Sequence, residues 1–143
     1  MTDPLRILLV EDEALILMQL EALVEDAGHV VAGTAMRAGE AIELAGALRP
    51  DLAFVDLSLC DGGSGLVVAR ALRQIDGLMV VFITANPLRL GDDLEGAAGV
   101  IGKPFSRAVV AGGMAYLEAC VRHPPPVGTL PMGMRMAAAY LPR

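Results

Sequence analysis

The chain has 143 residues, 55% hydrophobic and 20% charged, with a formal net charge of −6. That is enough for one domain with a real core, and too apolar for a disordered chain. The acidic balance disfavours nucleic acid, whose phosphates need a basic patch, and favours metal cations and basic protein surfaces as partners.

Aromatic residues make up 3% and Trp is absent, so the core must come from Val, Leu, Ile and Ala. No apolar run approaches the length of a membrane span. Met1-Thr2-Asp3-Pro4-Leu5-Arg6 lacks the basic region and apolar run of a signal peptide. The expectation is a cytoplasmic protein without membrane contact, whose cysteines, Cys60 and Cys120, are free thiols.

Strand and helix signals alternate. Leu5-Arg6-Ile7-Leu8-Leu9-Val10 reads as a strand of the continuous apolar kind that suits a parallel sheet covered on both faces. Residues 14–27 read as a helix, with Ile16, Leu20, Leu23 and Ala27 at helical spacing and Gly28 as a left-handed cap. Residues 29–35 form a second strand. Residues 37–48 form a second helix with Ala41, Leu44, Ala45 and Leu48 inward. Pro50 stops it, because the residue before a proline is pushed out of the α region. Leu52-Ala53-Phe54-Val55-Asp56 is a third strand, which releases an aspartate toward a loop of small residues, Cys60-Asp61-Gly62-Gly63-Ser64-Gly65. A helix over 64–74 follows, with Leu66, Ala69 and Leu72 facing the sheet, and then a strand over 78–84. Between 86 and 96, Pro87, Gly91 and Gly96 leave room for a short helix at most. Gly99-Val100-Ile101-Gly102 is a short fifth strand, and Ser106 is placed to N-cap a last helix ending near Arg122. Inside that helix Gly112-Gly113 costs roughly 1 kcal/mol per glycine relative to Ala, so the pair needs a packing reason or a bend.

Strands alternating with helical segments in this way predict an α/β fold, a five-stranded doubly wound parallel sheet with right-handed crossovers and helices on both faces. The composition changes at His123. Pro124-Pro125-Pro126 opens a stretch holding five of the nine prolines and three of the eight methionines. The reading is one domain over 1–122 and a Pro/Met-rich tail over 123–143 that forms no second domain. Met132, Met134 and Met136 suit packing on a partner, and a tail without fixed structure is the equal alternative.

Each chemistry-bearing residue stands just after a strand. Glu11 and Asp12 follow the first, Asp56 ends the third, Thr84 ends the fourth and Lys103 follows the fifth. In a parallel sheet these are carboxyl ends, where open α/β folds place their chemistry. The intervals hold two crossovers between residues 12 and 56, then one each to 84 and to 103. Three crowded carboxylates repel and need a counter-charge. A divalent cation supplies it, and an oxygen-rich, water-accessible set suits Mg²⁺. With Lys103 as an ammonium and Thr84 as a hydroxyl donor, an oxyanion on Asp56 would have the surroundings that phosphoryl transfer needs.

Taken in order, Leu8-Leu9-Val10-Glu11-Asp12-Glu13, Phe54-Val55-Asp56, Phe82-Ile83-Thr84-Ala85 and Lys103-Pro104-Phe105 resemble the receiver domain of two-component response regulators, over roughly residues 5–121. The resemblance implies a flavodoxin-like strand order, 2-1-3-4-5. It implies that Asp56 accepts a phosphoryl group from a phosphohistidine on a sensor histidine kinase or phosphotransfer protein. Glu11, Asp12, Asp56 and the Ser58 carbonyl would hold Mg²⁺, Asp12 directly and Glu11 through water. Thr84 and Lys103 would contact the phosphoryl group, and the Lys103-Pro104 bond would be cis. With no effector domain after residue 122, output would run through a separate protein. Family members often pair through the last helix, which makes a homodimer a further expectation.

The sequence departs from the family pattern in four places. Val100 stands three before Lys103, where an aromatic switch residue is common. The loop after Asp56 lacks its usual proline. The interval from 84 to 103 is short. Phe82-Ile83-Thr84-Ala85-Asn86-Pro87 resembles a subgroup that works with general-stress or light-responsive kinases.

Other readings compete. A phosphatase using Asp56 as nucleophile would want a second carboxylate two residues on, where this chain has Ser58. An interaction module that is not switched by phosphate keeps the fold, and Val100 favours it. No Gly-x-Gly-x-x-Gly follows the first strand, which argues against a nucleotide or flavin site. Asp61 reads as loop solvation, and His29 and His123 as structural or exposed, since neither has metal-ligand company.

Overall fold

The computed structural model describes residues 3–59, 64–122, 130 and 132–141. Cys60, Asp61, Gly62, Gly63, His123 and the Pro124-Pro125-Pro126 run lie outside them. Among the described residues, six strands form one sheet: β1 (Arg6–Val10), β2 (Val30–Ala35), β3 (Leu52–Asp56), β4 (Met79–Thr84), β5 (Gly99–Gly102) and β6 (Met134–Met136), in the order β2-β1-β3-β4-β5-β6. The first five are parallel, in the expected order, and β6 runs antiparallel on β5. Four α-helices among the described residues cover the faces: α1 (Ala14–Asp26), α2 (Ala38–Leu48), α3 (Ser64–Leu72) and α4 (Arg107–Arg122).

The continuous apolar runs make two cores because successive strand side chains point to opposite faces. Leu9, Phe54, Val81 and Ile101 join Leu20 of α1 and Leu117 of α4 on one side. Leu8, Val55, Phe82 and Val100 join Ala45 of α2 and Val68 and Leu72 of α3 on the other. Every residue of β3 is buried, so Asp56 ends a strand with no solvent on either face.

The local signals resolve into geometry. Gly28 adopts φ +86° after α1. Arg49, just before Pro50, closes α2 in the left-handed region, its N–H bonded to Ala45 O. Ser106 Oγ accepts from Val109 N at 3.1 Å. His29 is structural: its Nδ1 accepts from Leu5 N at 2.9 Å and its Nε2 lies 3.3 Å from Glu118. Cys120 is free and buried, and burial pushes its thiol up to about 11. No described helix is long and apolar enough to cross a membrane.

Two expectations are revised, and the limit of a short helix at most over 86–96 holds. The α3 helix stops at Leu72 rather than 74. The 86–96 stretch holds no α-helix but two single 3₁₀ turns, Pro87–Arg89 and Leu94–Gly96, with Leu94, Glu95 and Gly96 all at positive φ. Pro87 in the first turn is a tolerated start, but three consecutive left-handed residues, Leu94 to Gly96, are incompatible with a longer helix.

The second revision is β6. The tail contributes a strand of its own, and Met134 and Met136 bury against this chain rather than a partner, while Met132 stays 90% exposed. This strand bears on two glycines. A Cβ on Gly113 would lie 3.4 Å from Met134 Sδ, an ordinary contact that leaves room for alanine, so packing here does not account for the Gly112-Gly113 pair. A Cβ on Gly99 would lie 2.5 Å from Met136 Sδ and 3.0 Å from Arg135 O.

Candidate functional site

The sheet register aligns the strand ends. Val10 is opposite Val55, Val55 opposite Phe82, and Phe82 opposite Val100. One step on, Asp56 is opposite Ile83, and Thr84 is opposite Gly102, the residue before Lys103, so Glu11, Asp56, Thr84 and Lys103 emerge along one edge. Glu11, Asp56 and Thr84 are each no more than 3% exposed. A strand that is apolar to its last residue leaves its first polar group at the rim of the core, almost wholly out of water.

Lys103 gathers the acids. Its Nζ donates to Glu11 Oε1 at 2.7 Å and stands 3.6 Å from Asp56 Oδ2 and 4.0 Å from Glu13 Oε1. Carboxylate oxygens of Glu11, Asp12 and Asp56 all lie within 4.8 Å of one another. Asp56 Oδ1 accepts from Ser58 N at 3.0 Å, and Glu11 Oε2 accepts from Asp12 N at 3.1 Å. Ser58 thus meets the site through its backbone, while its side chain is exposed. Thr84 Oγ1 accepts from Asn86 N at 3.1 Å, and Thr84 O accepts from Lys103 N at 2.7 Å. That last bond ties the hydroxyl and the ammonium to a common backbone. The Lys103-Pro104 bond is cis, as expected.

The charges are incompletely balanced. Burial, together with a hydrogen bond to Asp56, pushes Glu11 up to about 8, against the opposing pull of Lys103. For Lys103 burial works to lower the pKa, but the bond to Glu11 and the charges of Asp56, Glu11 and Glu13 outweigh it and raise it. Three carboxylates face one ammonium, which leaves negative charge in excess when all are ionised. A hard divalent cation fits this all-oxygen donor set and would offset that excess. The residues expected to hold Mg²⁺ through side chains, Glu11, Asp12 and Asp56, are the ones brought together. A cleft of about 520 Å³ opens beside them, lined by Ser58, Leu59, Leu66, Thr84, Asn86 and Glu95 among others.

Gly65 is a site residue that sequence reasoning passed over as one small residue among several. A Cβ there would lie 2.5 Å from Asp56 O, 2.6 Å from Leu57 O and 2.7 Å from Leu57 Cα. The first turn of α3 rests directly on the backbone that delivers Asp56. The available signal was a glycine within ten residues of an acidic strand end, which is weak by itself.

A family model for the response regulator receiver domain matches residues 7–112. Over 107 residues the chain is 45% identical to the phyllosphere-induced regulator PhyR of Methylorubrum extorquens, covering 73% of this chain and 40% of that one. The solution NMR structure of the PhyR response regulator REC domain from Erythrobacter litoralis superposes with a TM-score of 0.73 at 34% identity, covering 89% of this chain and 98% of that one. A co-crystal structure of the Bartonella quintana anti-anti-sigma factor PhyR with the anti-sigma factor NepR matches with a TM-score of 0.53 at 34% identity, over 55% of this chain and 33% of that one. The chain spans less than half the length of the Methylorubrum regulator.

Proposed function

This chain belongs to the response regulator receiver-domain family, and on that footing we propose that it is a phosphoacceptor switch whose acceptor is Asp56. The observation that carries the reading is Lys103 Nζ set between Glu11 and Asp56, with Asp12 completing a three-carboxylate cluster. A phosphohistidine of a sensor histidine kinase or phosphotransfer protein is the donor. The P–N bond to its imidazole breaks as an Asp56 Oδ–P bond forms, and the electron pair returns to the imidazole nitrogen, which takes a proton from solvent.

Asp56 Oδ2 is the oxygen nearer the ammonium, while Oδ1 is held by Ser58 N–H. Lys103 exchanges Glu11 for an oxygen of the incoming phosphoryl group, and the Thr84 hydroxyl donates to another. Glu11, Asp12, Asp56 and the Ser58 carbonyl would hold Mg²⁺, which would supply charge neutralisation for the transferring group. Ser58, in the place where a phosphatase would carry its general acid, makes turnover on small phosphoesters slow, so the protein is a regulator rather than an enzyme.

Output passes to a separate protein in the cytoplasm. The Bartonella complex of a related regulator with NepR supports a protein partner of that kind. Incubation with acetyl phosphate and Mg²⁺ should add one phosphoryl mass to the intact wild-type protein and none to Asp56→Ala. Equal mass on the variant, or none on either, would falsify the assignment.

A further inference from the structure

We propose that Arg135 clamps strand β6 to the segment following Thr84, and that phosphorylation of Asp56 opens this clamp. The inference rests on the phosphoacceptor reading and specifies how the event is felt at the tail.

Alternation along β6 sends its side chains to different places. Met134 and Met136 enter the core on the α4 side. Arg135 stands opposite Val100, on the other face. There its Nη1 donates to Pro87 O and, at 3.2 Å, to Leu90 O, and its Nη2 lies 3.8 Å from Asp92. One planar guanidinium thus holds several acceptors of the 3₁₀ turn and the residues after it, a geometry suited to arginine. Val100 is fully buried and brings no rotating ring to this face. Arg135 is the polar group that reads the turn instead.

Both ends of the clamp lead back to the site. Thr84 Oγ1 accepts from Asn86 N–H, and Asn86 O accepts from Arg89 N–H at 3.1 Å. The hydroxyl therefore pins the start of the turn whose Pro87 carbonyl Arg135 grips. On the other side, Gly102 N donates to Gly133 O at 3.2 Å, and Gly102 precedes Lys103. Pro87 also packs over Gly102, where a Cβ would lie 3.2 Å from Pro87 Cγ. A phosphoryl group that draws the Thr84 hydroxyl and the Lys103 ammonium toward Asp56 disturbs both anchors together. With only three residues, β6 has little pairing of its own to resist this. Its release bares the β5 edge, a row of backbone donors and acceptors to which another chain's strand can add.

Hydrogen–deuterium exchange on the full-length protein tests this, with intact mass read on the same samples. Acetyl phosphate and Mg²⁺ should speed exchange in peptides spanning 133–137 and 86–92 by roughly tenfold, while β1 and β3 peptides stay unchanged. Arg135→Gln should exchange fast at 133–137 without phosphate, gain little more with it, and still take up the phosphoryl group. Arg135→Lys keeps the charge without the fork and should fall between; it also stands in if the glutamine variant fails to fold. Wild type that gains phosphoryl mass with unchanged exchange at 133–137 overturns the clamp alone, as do Arg135 variants indistinguishable from wild type. Absence of added mass overturns the phosphoacceptor reading and the clamp with it.

Discussion

Replacing Gly65 with Ala should destabilise the protein by about 2–3 kcal/mol and slow Asp56 phosphorylation by roughly tenfold. The methyl group would sit 2.5–2.7 Å from Asp56 O, Leu57 O and Leu57 Cα. All three are backbone atoms, so no side chain can rotate out of the way. Either the first turn of α3 lifts from the sheet or the exit of β3 moves. The second is resisted by Leu57 N bonded to Ile83 O at 3.0 Å and by Ser58 N bonded to Asp56 Oδ1. Strain therefore divides between packing of α3 and the position of the acceptor carboxylate, which is why stability and rate should both fall. Gly46→Ala is the control. Gly46 lies within α2 with nothing within 4 Å of a new Cβ, and the exchange should stabilise by about 0.5–1 kcal/mol. Thermal unfolding and acetyl phosphate kinetics on the two variants decide the matter; matching melting temperatures would show that the close approach at Gly65 is tolerated.

The sequence discloses Asp56, Glu11, Asp12, Thr84 and Lys103 because each closes or follows an apolar run, and parallel strands share an edge. It discloses the weakness of 86–96 through Pro87, Gly91 and Gly96, but not the left-handed backbone at Leu94 and Glu95, which no residue type there announces. Gly99 meets Met136 Sδ and Arg135 O at distances too short for a Cβ, yet both lie in a tail whose prolines and methionines read as partner-binding or unstructured. Three residues are too few for alternation to announce β6, and its pairing with β5 is set by tertiary contacts. Arg135 and Gly65 are hidden for the same cause. Their roles exist only as backbone carbonyls brought close by the fold, and a sequence pattern records side chains.

Lys103→Met should slow phosphorylation by about 10²–10³-fold, the size of effect seen when a preorganised charge-stabilising donor is removed. It should also leave a signature that packing damage would not. Glu11 is held at about 8 against an ordinary 4.5, by burial first and by its bond to Asp56, with Lys103 pulling the other way. A carboxyl whose folded pKa is raised keeps a proton that the unfolded chain has lost, so its contribution to stability is complete below about 4.5 and is lost as pH rises through about 8. Without the ammonium 2.7 Å away, Glu11 holds its proton to still higher pH, and the loss continues beyond the wild-type range. The destabilisation of Lys103→Met should therefore stay constant from about pH 5 to about pH 8, where Glu11 keeps its proton in both folded proteins, and widen above about pH 8, where only wild-type Glu11 releases it, while added Mg²⁺ narrows the gap by supplying the missing positive charge. Urea melts across that pH range, with and without Mg²⁺, provide the measurement. Parallel stability curves for the two proteins would mean that Lys103 acts through packing and not through its charge among Glu11, Asp56 and Glu13.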